Sequence, residues 1–353
     1  MAGSAHIPLV EVTRGNIVES VHYGSCAVVL PDGTSLFSLG DATTPFFLRS
    51  STKPFQTLAF LEQGGTGAYN LTLEEIAIIT SSHSGTARHL AVLEKLQQKI
   101  GIKQEMLQCG THLPIDIESA KQLLKDGQPL MPNHNNCSGK HTGKLAFAMM
   151  IGAAIEDYLN PSHPVEQIIL ATFAQMCGIE PESVEVGIDG CTAPVFAVPL
   201  PAAALAFARL CQPDGLSEDR KGACRKVTEA MSAHPFMIAG PGRFDTDVMS
   251  AAGGSIVSKI GAEGFQGIGV LPGRTSGIDR GIGIVFKVSD GDLSDHRASG
   301  VIALAILKAL GALDANQTQA LQTHDRRPVT NWRGLPVGEI RPSRQLEEAL
   351  RQI

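Results

Sequence analysis

The sequence predicts an α+β fold, a mixed α/β architecture built around a mainly antiparallel sheet. Three observations support this prediction. Apolar residues alternate or form short β-branched runs near the amino terminus, helical periodicity dominates the middle of the chain, and strand-like runs return after Gly254. Strands at both chain ends with helices inserted between them indicate one sheet to which both ends contribute, with a helical lobe beside it.

We expect residues 1–70 together with 254–353 to form the sheet region, and residues 71–253 to form a mainly helical region. A chain of 353 residues exceeds the usual size of one compact core. The sequence contains no internal repeat, low-complexity tract or Pro-rich linker that would mark a boundary between independent domains. We therefore predict a single catalytic unit with its site between the two regions.

The individual elements follow from local patterns. Residues 10–40 have the pattern of a β-meander with a turn at Pro31-Asp32-Gly33. Residues 54–63 have the pattern of a buried helix, and Thr72 with Glu75 forms a capping box. Further helices are predicted over residues 86–99, 118–125, 144–158, 164–176, 202–211, 218–231 and 298–310. Later strands are predicted over residues 254–260, 266–271, 281–288 and 336–340.

The stretch Ser50-Ser51-Thr52-Lys53-Pro54 opens the first predicted helix. A serine three residues before a lysine places a hydroxyl and an amine on one helix face. Burial or neighbouring cations lower the pKa of a lysine, so that its neutral amine can take a proton from a serine nucleophile. The alternative is that Ser50 or Ser51 caps the helix and Lys53 lies at the surface, since this short spacing is common.

A second hydroxyl-rich stretch, Thr80-Ser81-Ser82-His83-Ser84-Gly85, lies between an apolar run and a helix. Loops at the ends of elements often carry function. Ser84 or Thr86 as a helix cap is an equally good explanation of part of this stretch. That explanation does not account for Ser81, Ser82 and His83.

Residues 133–141 (Asn-His-Asn-Asn-Cys-Ser-Gly-Lys-His) are entirely without large apolar side chains, yet they lead into a buried helix. Cys137, Lys140 and His141 stand at i, i+3 and i+4 and share one face. A second cysteine in Asp189-Gly190-Cys191-Thr192 could complete a thiolate pair for a metal. The alternative is that both cysteines are inert buried apolar groups.

Lys259 stands inside an apolar strand pattern and is followed by Gly261. A charge in such a position is costly unless it is paired or functional, and glycine allows another group to approach the strand edge. Lys259 is therefore a candidate site residue, with a snorkelling edge lysine as the alternative.

Composition limits the classes of function. The chain has 29 basic and 35 acidic residues, a net charge of -6, and only 5% aromatic residues. The absence of a basic block argues against nucleic acid or an anionic membrane surface as a partner and favours a small-molecule substrate.

The cysteines and the chain start predict a reduced, cytoplasmic protein. The seven cysteines form no close-spaced framework, and the Met-Ala-Gly-Ser-Ala-His start lacks a charged leader. The longest apolar stretch, residues 194–208, is interrupted by three prolines and is too short to span a bilayer.

The motifs together resemble those of the rhizobial-type L-asparaginase family, also called asparaginase II or thermolabile asparaginase. The resemblance covers almost the whole chain, and Asn136-Cys137-Ser138-Gly139-Lys140-His141 and Asp189-Gly190-Cys191 are its most specific parts. It implies hydrolysis of L-asparagine to aspartate and ammonia, on a fold like those of serine β-lactamases and glutaminases. It also implies a homodimer.

Carried over by position, the resemblance implies that Ser50 is the nucleophile and Lys53 its partner, with Ser82 and Lys259 as a second Ser-Lys pair. It implies that Cys137, Lys140 and Cys191 bind a zinc ion. Two thiolates and an amine would leave this ion a weak Lewis acid, so we expect it to assist substrate binding without being essential for the chemistry. We predict that substrate-binding residues come from the same motifs: Arg49, His83, Asn136, His141, Asp189 and Gly190.

Two other functions remain open at this level. The chain could be a catalytically silent asparagine-binding or sensory protein, although pure binding does not require paired lysines. It could also be an acyl hydrolase of β-lactams or peptides on the same scaffold. One departure from the family is that Asp245 stands where some members carry a cysteine.

Overall fold

The computed structural model describes residues 6–293 and 296–352. The chain divides into two compact units. The first, here the sheet unit, comprises Met1–Ser51, Val198–Gln212 and Ala251–Ile353, and the second, here the helical unit, comprises Thr52–Ala197 and Pro213–Ser250. The prediction that the chain start lacks a charged leader concerns mainly residues 1–5, which lie outside the described residues.

The strands are β1 (Ile7–Arg14), β2 (Ile17–Val29), β3 (Ser35–Leu39), β4 (Phe46–Phe47), β5 (Glu185–Ile188), β6 (Pro194–Val198), β7 (Ile256–Gly261), β8 (Phe265–Val270), β9 (Ile282–Val288), β10 (Arg327–Thr330) and β11 (Pro336–Pro342). The helices are α1 (Lys53–Glu62), α2 (Gly65–Tyr69), α3 (Leu73–Thr80), α4 (Ala87–Ile100), α5 (Ile117–Lys125), α6 (Ser138–Met150), α7 (Pro164–Cys177), α8 (Leu200–Cys211), α9 (Glu218–Ala233), α10 (Pro235–Ile238), α11 (Phe244–Ala252), α12 (Ser299–Ala309), α13 (Ala315–Ala320) and α14 (Arg344–Leu350). Short 3-10 segments include Arg49–Thr52 and Pro132–His134.

One antiparallel sheet organises the sheet unit. Its strand order is β10-β11-β1-β2-β9-β8-β7, and β3 also pairs with β2. The pairing of β2 with β9 joins the two chain ends, with Cys26 opposite Phe286. The predicted α+β class, with an antiparallel sheet drawn from both ends of the chain, is therefore confirmed.

Helix α8 packs closely on this sheet because glycines face it. A Cβ atom added at Gly283 would lie 1.8 Å from the carbonyl oxygen of Ala204, and one at Gly267 would lie 2.1 Å from the ring of Phe207. No side chain fits at such distances. The apolar stretch of residues 194–208 thus forms a buried strand and a core helix. Within the described residues, no helix combines the length and apolarity needed to cross a bilayer.

Buried helices α1, α3 and α6 form the centre of the helical unit. In α1, residues from Lys53 to Leu61 are all buried, and the Phe55 ring lies 5.6 Å from that of Phe173 on α7. Helix α3 begins with the predicted Thr72 and Glu75 capping box. Between α3 and α6, a Cβ atom at Gly139 would lie only 2.0 Å from the carbonyl oxygen of Ile78.

Some sequence-based boundaries are wrong. The helix predicted over residues 144–158 begins at Ser138 and ends at Met150, because the polar residues before Lys144 already form its first turns and Gly152 follows with a φ of 69°. The cap of α1 is Thr52, not Ser50 or Ser51. Of the two residues proposed to cap α4, Thr86 does so. The hairpin of β5 and β6 was not predicted.

Candidate active site

Lys53 is the first residue of α1 and is 1% exposed. Its Nζ donates a hydrogen bond to the carbonyl oxygen of Ser81 at 2.7 Å and lies within hydrogen-bond distance, 2.9 Å, of Ser82 Oγ. A longer bond of 3.4 Å reaches the carbonyl oxygen of Asn136. The lysine therefore lies where three predicted motifs meet, and its amine is in contact with a serine hydroxyl.

The surroundings of Lys53 favour the neutral amine. Burial lowers its pKa from the usual value, and the nearby Lys140 ammonium lowers it further, although Cys137 opposes both effects. A lowered pKa raises the fraction of neutral amine at a given pH, which is the form that accepts a proton. An amine in this state, in contact with a hydroxyl, is able to accept its proton.

Ser82 is held by residues that are distant in sequence. Its N–H donates to the carbonyl oxygen of Ile238 at 2.9 Å, and its carbonyl oxygen accepts from Arg243 Nη1 at 2.6 Å. Burial lowers the pKa of Arg243, against the charge of Asp245. Sequence analysis missed Arg243, because an arginine in a Gly-Arg-Phe loop carries no periodic or spacing signal.

His83 is fully buried, and both of its ring nitrogens are used within the helical unit. Nδ1 accepts from the N–H of Gly85 at 3.1 Å, so Nε2 carries the proton and donates to Ser138 Oγ at 2.8 Å. The Ser138 hydroxyl in turn donates to the carbonyl oxygen of Asn133 at 3.2 Å. This chain of bonds joins the loop after α3 to the start of α6, and it places His83 in a positioning role.

The Asn136 backbone is fixed by a histidine. Its N–H donates to His112 Nε2 at 3.0 Å, while His112 Nδ1 lies 2.6 Å from the carbonyl oxygen of Leu113. The two bonds set the His112 tautomer, with the proton on Nδ1. They also orient the peptide whose carbonyl oxygen meets Lys53.

Cys137, Lys140 and Cys191, the three residues predicted to bind zinc, lie close together. Each is at most 5% exposed, and Lys140 Nζ lies 2.8 Å from Cys191 Sγ. A hydrogen bond from Cys191, with help from the Lys53 and Lys140 charges, holds the pKa of Cys137 well below its usual value against burial. The pKa of Cys191 is raised by its bond to Cys137 and by burial. Cys137 therefore favours the thiolate and Cys191 the thiol, beside two lysines.

The charge state of Lys140 is set by this cluster. Burial alone would lower its pKa, but Cys137, Cys191 and Asp189 outweigh burial and raise it. Lys140 is consequently an ammonium ion in the absence of metal, whereas Lys53 is driven towards the neutral amine.

A turn at the tip of the β5–β6 hairpin presents Cys191. The Asp189 N–H donates to the carbonyl oxygen of Ala193 at 2.9 Å, and the Gly190 N–H donates to Asp189 Oδ1 at 2.7 Å. Thr192 has a φ of 71°, which is rare for a β-branched residue. This backbone conformation turns the chain so that Cys191 is buried while Gly190 and Thr192 are exposed.

His141 lies beside the cluster and is fully buried. Its Nδ1 is 2.7 Å from the Tyr158 hydroxyl, which also accepts from the Gln108 N–H at 2.9 Å. The hydroxyl proton then satisfies Nδ1, which leaves the ring proton on Nε2. Burial lowers the pKa of His141 to about 4, although a hydrogen bond with Cys191 opposes this. His141 is therefore a neutral imidazole beside the sulfur cluster.

The donor atoms fit zinc in their chemistry. Within residues 6–293 and 296–352, no three His, Cys, Asp or Glu side chains are arranged to hold a metal. Cys137 and Cys191 supply two sulfurs, however, and Lys140 supplies a nitrogen in contact with one of them. Zinc accepts such donors. A lysine ligand must first lose its proton, so binding would be linked to pH.

In the sheet unit, Lys259 lies on β7 and is fully buried, which excludes the snorkelling alternative. Its Nζ donates to the carbonyl oxygen of Ile260 at 3.0 Å, and its own carbonyl oxygen accepts from Ser51 Oγ at 2.6 Å. A Cβ atom at Gly261 would lie 2.2 Å from the carbonyl oxygen of Leu48, so the glycine does permit a close approach.

Ser50 lies half-buried in the 3-10 segment Arg49–Thr52 that leads into α1. Arg49 has a φ of 51°, in the left-handed region. Such a conformation costs on the order of 1 kcal/mol in a residue other than glycine and is frequent at functional sites.

Comparison with known proteins identifies the class. A family model described as L-asparaginase II matches residues 10–342. The protein is therefore an amidohydrolase. More particularly, it belongs to the L-asparaginase II family, in agreement with the resemblance drawn from its motifs. None of the curated protein sequences compared with the chain matches it.

The similar solved structures include glutaminases. The Bacillus subtilis glutaminase YbgJ, in covalent complex with 5-oxo-L-norleucine, has 12% identity over 85% of this chain and 86% of its own, with a TM-score of 0.36. Native Mglu in 4.3 M NaCl has 17% identity over 83% of this chain and 62% of its own, also with a TM-score of 0.36. At this level of similarity, neither structure bears on the chemistry.

Proposed function

We propose that the protein is an L-asparaginase that hydrolyses L-asparagine to L-aspartate and ammonia. Membership of the family supports the substrate class. The observation that carries the proposal is the buried Lys53 amine, 2.9 Å from Ser82 Oγ, in surroundings that favour its neutral form. An amine in this state can activate a serine for attack on an amide carbonyl.

In the proposed reaction, Ser50 Oγ attacks the side-chain carbonyl carbon of asparagine and loses its proton to Lys53. That proton is passed to the amide nitrogen, the C–N bond breaks and ammonia leaves. Water then attacks the acyl carbon and loses a proton to a base, the bond from that carbon to Ser50 Oγ breaks, and the proton returns to Ser50 Oγ as aspartate is released. We propose Ser82 and Lys259 as the second Ser-Lys pair. The contact between Ser82 and Lys53 suits a proton relay.

The proposed substrate-binding residues have two kinds of role. Arg49, Asn136, Asp189 and Gly190 are at least partly exposed and can contact the substrate directly. Asp189 would pair with the ammonium group of the substrate. His83 and His141 are fully buried, and they would act by holding the loops that carry Ser82 and Cys191.

Ammonia release from L-asparagine tests the function, and it separates the two serines. We expect Ser50→Ala to fold and bind asparagine but to lose at least about a hundredfold in turnover. A diazo ketone analogue of asparagine, followed by peptide mapping, should label Ser50. Label on Ser82 together with near-normal turnover by Ser50→Ala would reverse the roles of the serines.

Two results would instead favour the alternative functions. Binding of asparagine by the purified protein without ammonia release would indicate a silent binding or sensory protein. Faster turnover of a chromogenic β-lactam than of asparagine would indicate a β-lactam or peptide acyl hydrolase.

Zinc is the proposed cofactor, with Cys137, Lys140 and Cys191 as its ligands. Bound zinc would orient the substrate, and two thiolates with an amine would leave it a weak Lewis acid. We expect chelation to raise KM more than it lowers kcat. The contacts that zinc makes with the substrate would be equally strong in the ground state and the transition state, and the loss of such contacts weakens binding without slowing the chemical step. Bound zinc should also fall as pH decreases, because the ligands become protonated.

Metal analysis and steady-state kinetics before and after chelation measure these effects. We also expect alkylating reagents to modify Cys137 and Cys191 faster once the metal has been removed. Complete loss of kcat, restored by zinc, would make the protein a metallohydrolase. We further propose a homodimer in the cytoplasm, which sedimentation and cell fractionation would test.

A further inference from the structure

Two open cavities on the helical unit share His134, a residue of the polar stretch that the proposed chemistry does not use. One cavity has a volume of about 240 Å³ and is lined by residues of α4, by Gln104 and by the segment before Asn135. The other, of about 320 Å³, lies between α4 and α5. Leu90, Gln128 and His134 line both of them. We call the smaller cavity the His134 cavity.

The imidazole of His134 has a donor without a partner. Its side chain is buried, with the residue 8% exposed. Nδ1 accepts from the Met131 N–H at 2.9 Å, so the neutral ring carries its proton on Nε2. Among the described residues, Nε2 has no hydrogen-bond partner. Nε2 is not enclosed but reaches the open cavity, where it can donate to an acceptor on a ligand.

A carboxylate lies on the same cavity. Glu94 stands one turn after Leu90 on α4, is exposed, and makes no ion pair within the described part of the chain. It is close enough to His134 for its charge to oppose the burial that lowers the pKa of that histidine. Leu90 and Met131 add apolar surface, and Gln104 and Gln128 add amides.

We propose that the His134 cavity binds a free α-amino acid as a zwitterion. The ligand carboxylate would accept from His134 Nε2, and the ligand ammonium would pair with Glu94. A simple anion would be repelled by Glu94, and a simple amine would leave the His134 donor without an acceptor. The volume of about 240 Å³ is below that of drug-sized pockets and suits a molecule of this size. This second site does not depend on the proposed hydrolysis.

Calorimetric titration with L-alanine tests the proposal, because L-alanine has no side-chain amide to hydrolyse. We expect Glu94→Gln and His134→Phe each to weaken its binding at least about tenfold, since each removes a charge-assisted contact. Glu105→Gln, an exposed carboxylate outside the cavity, and Lys53→Met should both retain binding. Propionate and propylamine, each with half of the zwitterion, should bind at least about tenfold more weakly than L-alanine.

Spectra of the 15N-histidine-labelled protein give a second measurement. The Nε2 resonance that disappears in His134→Phe should shift on addition of L-alanine to the wild-type protein. Should His134→Phe fail to fold, Glu94→Gln carries the test, because its side chain is on the surface. Unchanged binding in Glu94→Gln, loss of binding in Lys53→Met, or no binding by the wild-type protein would each overturn the proposal. None of these results depends on ammonia release.

Discussion

Replacement of Lys53 by methionine is expected to lower ammonia release from L-asparagine by about a hundredfold to ten-thousandfold. The substitution removes the amine that contacts Ser82 Oγ and would serve as the base. A fall in rate of this size is usual when a nucleophile is no longer activated. Burial already disfavours the Lys53 ammonium, but methionine would leave the buried carbonyl oxygen of Ser81 without its donor, so the free energy of unfolding should fall by about 1–3 kcal/mol.

The dependence of kcat/KM on pH should also change in this variant. In the wild type, kcat/KM should fall as pH falls through the pKa of Lys53, which lies below its usual value, because protonation removes the base. Lys53→Met should lose this limb of the profile. Lys95→Met, the same change at an exposed position of α4, should keep both activity and profile. Wild-type turnover by Lys53→Met would exclude Lys53 as the base.

The second large effect is expected at Gly139, inside the Asn-Cys-Ser-Gly-Lys-His motif. An alanine Cβ there would lie 2.0 Å from the carbonyl oxygen of Ile78, a backbone atom that cannot move without shifting α3. Alanine favours helices by about 1 kcal/mol over glycine, but overpacking of this kind costs about 1–3 kcal/mol or more. We expect Gly139→Ala to lower the free energy of unfolding by about 2 kcal/mol, measured in urea.

Gly222 offers a matched control in the same unit. It lies within α9, and a Cβ atom there would meet nothing within 4 Å. Gly222→Ala should therefore raise the free energy of unfolding by about 0.5–1 kcal/mol. If both variants gained stability alike, the close packing of α3 against α6 would be refuted.

Much of the fold could be predicted from the sequence because its signals are local. The meander of β1 to β3, the capping box at Thr72 and the run of helices each arise from periodicity or turn chemistry within a few residues. The start of α6 was misplaced because Ser138 and Lys140 are polar, and only tertiary hydrogen bonds make their burial possible. The β5–β6 hairpin is short, and Gly187 weakens its strand pattern.

The sequence pointed to individual residues of the candidate site but not to all of the contacts between them. Motifs indicated Lys53, Ser82, Cys137, Lys140 and Cys191, because these residue types have a chemistry that suggests a role. The direct contact of Lys53 with Ser82 and the bond from Arg243 to the Ser82 carbonyl depend on how distant segments pack. Spacing along the chain does not contain that information.

The anchoring of Ser82 has a consequence for the order of folding. Its N–H is bound by Ile238 and its carbonyl by Arg243, which is 161 residues further along the chain. Closing a loop of this length is entropically unfavourable and slow compared with helix formation. During synthesis, α3 can form long before residue 243 leaves the ribosome. The backbone of Ser82 thus acquires its final hydrogen bonds only after nearly the whole helical unit has been made.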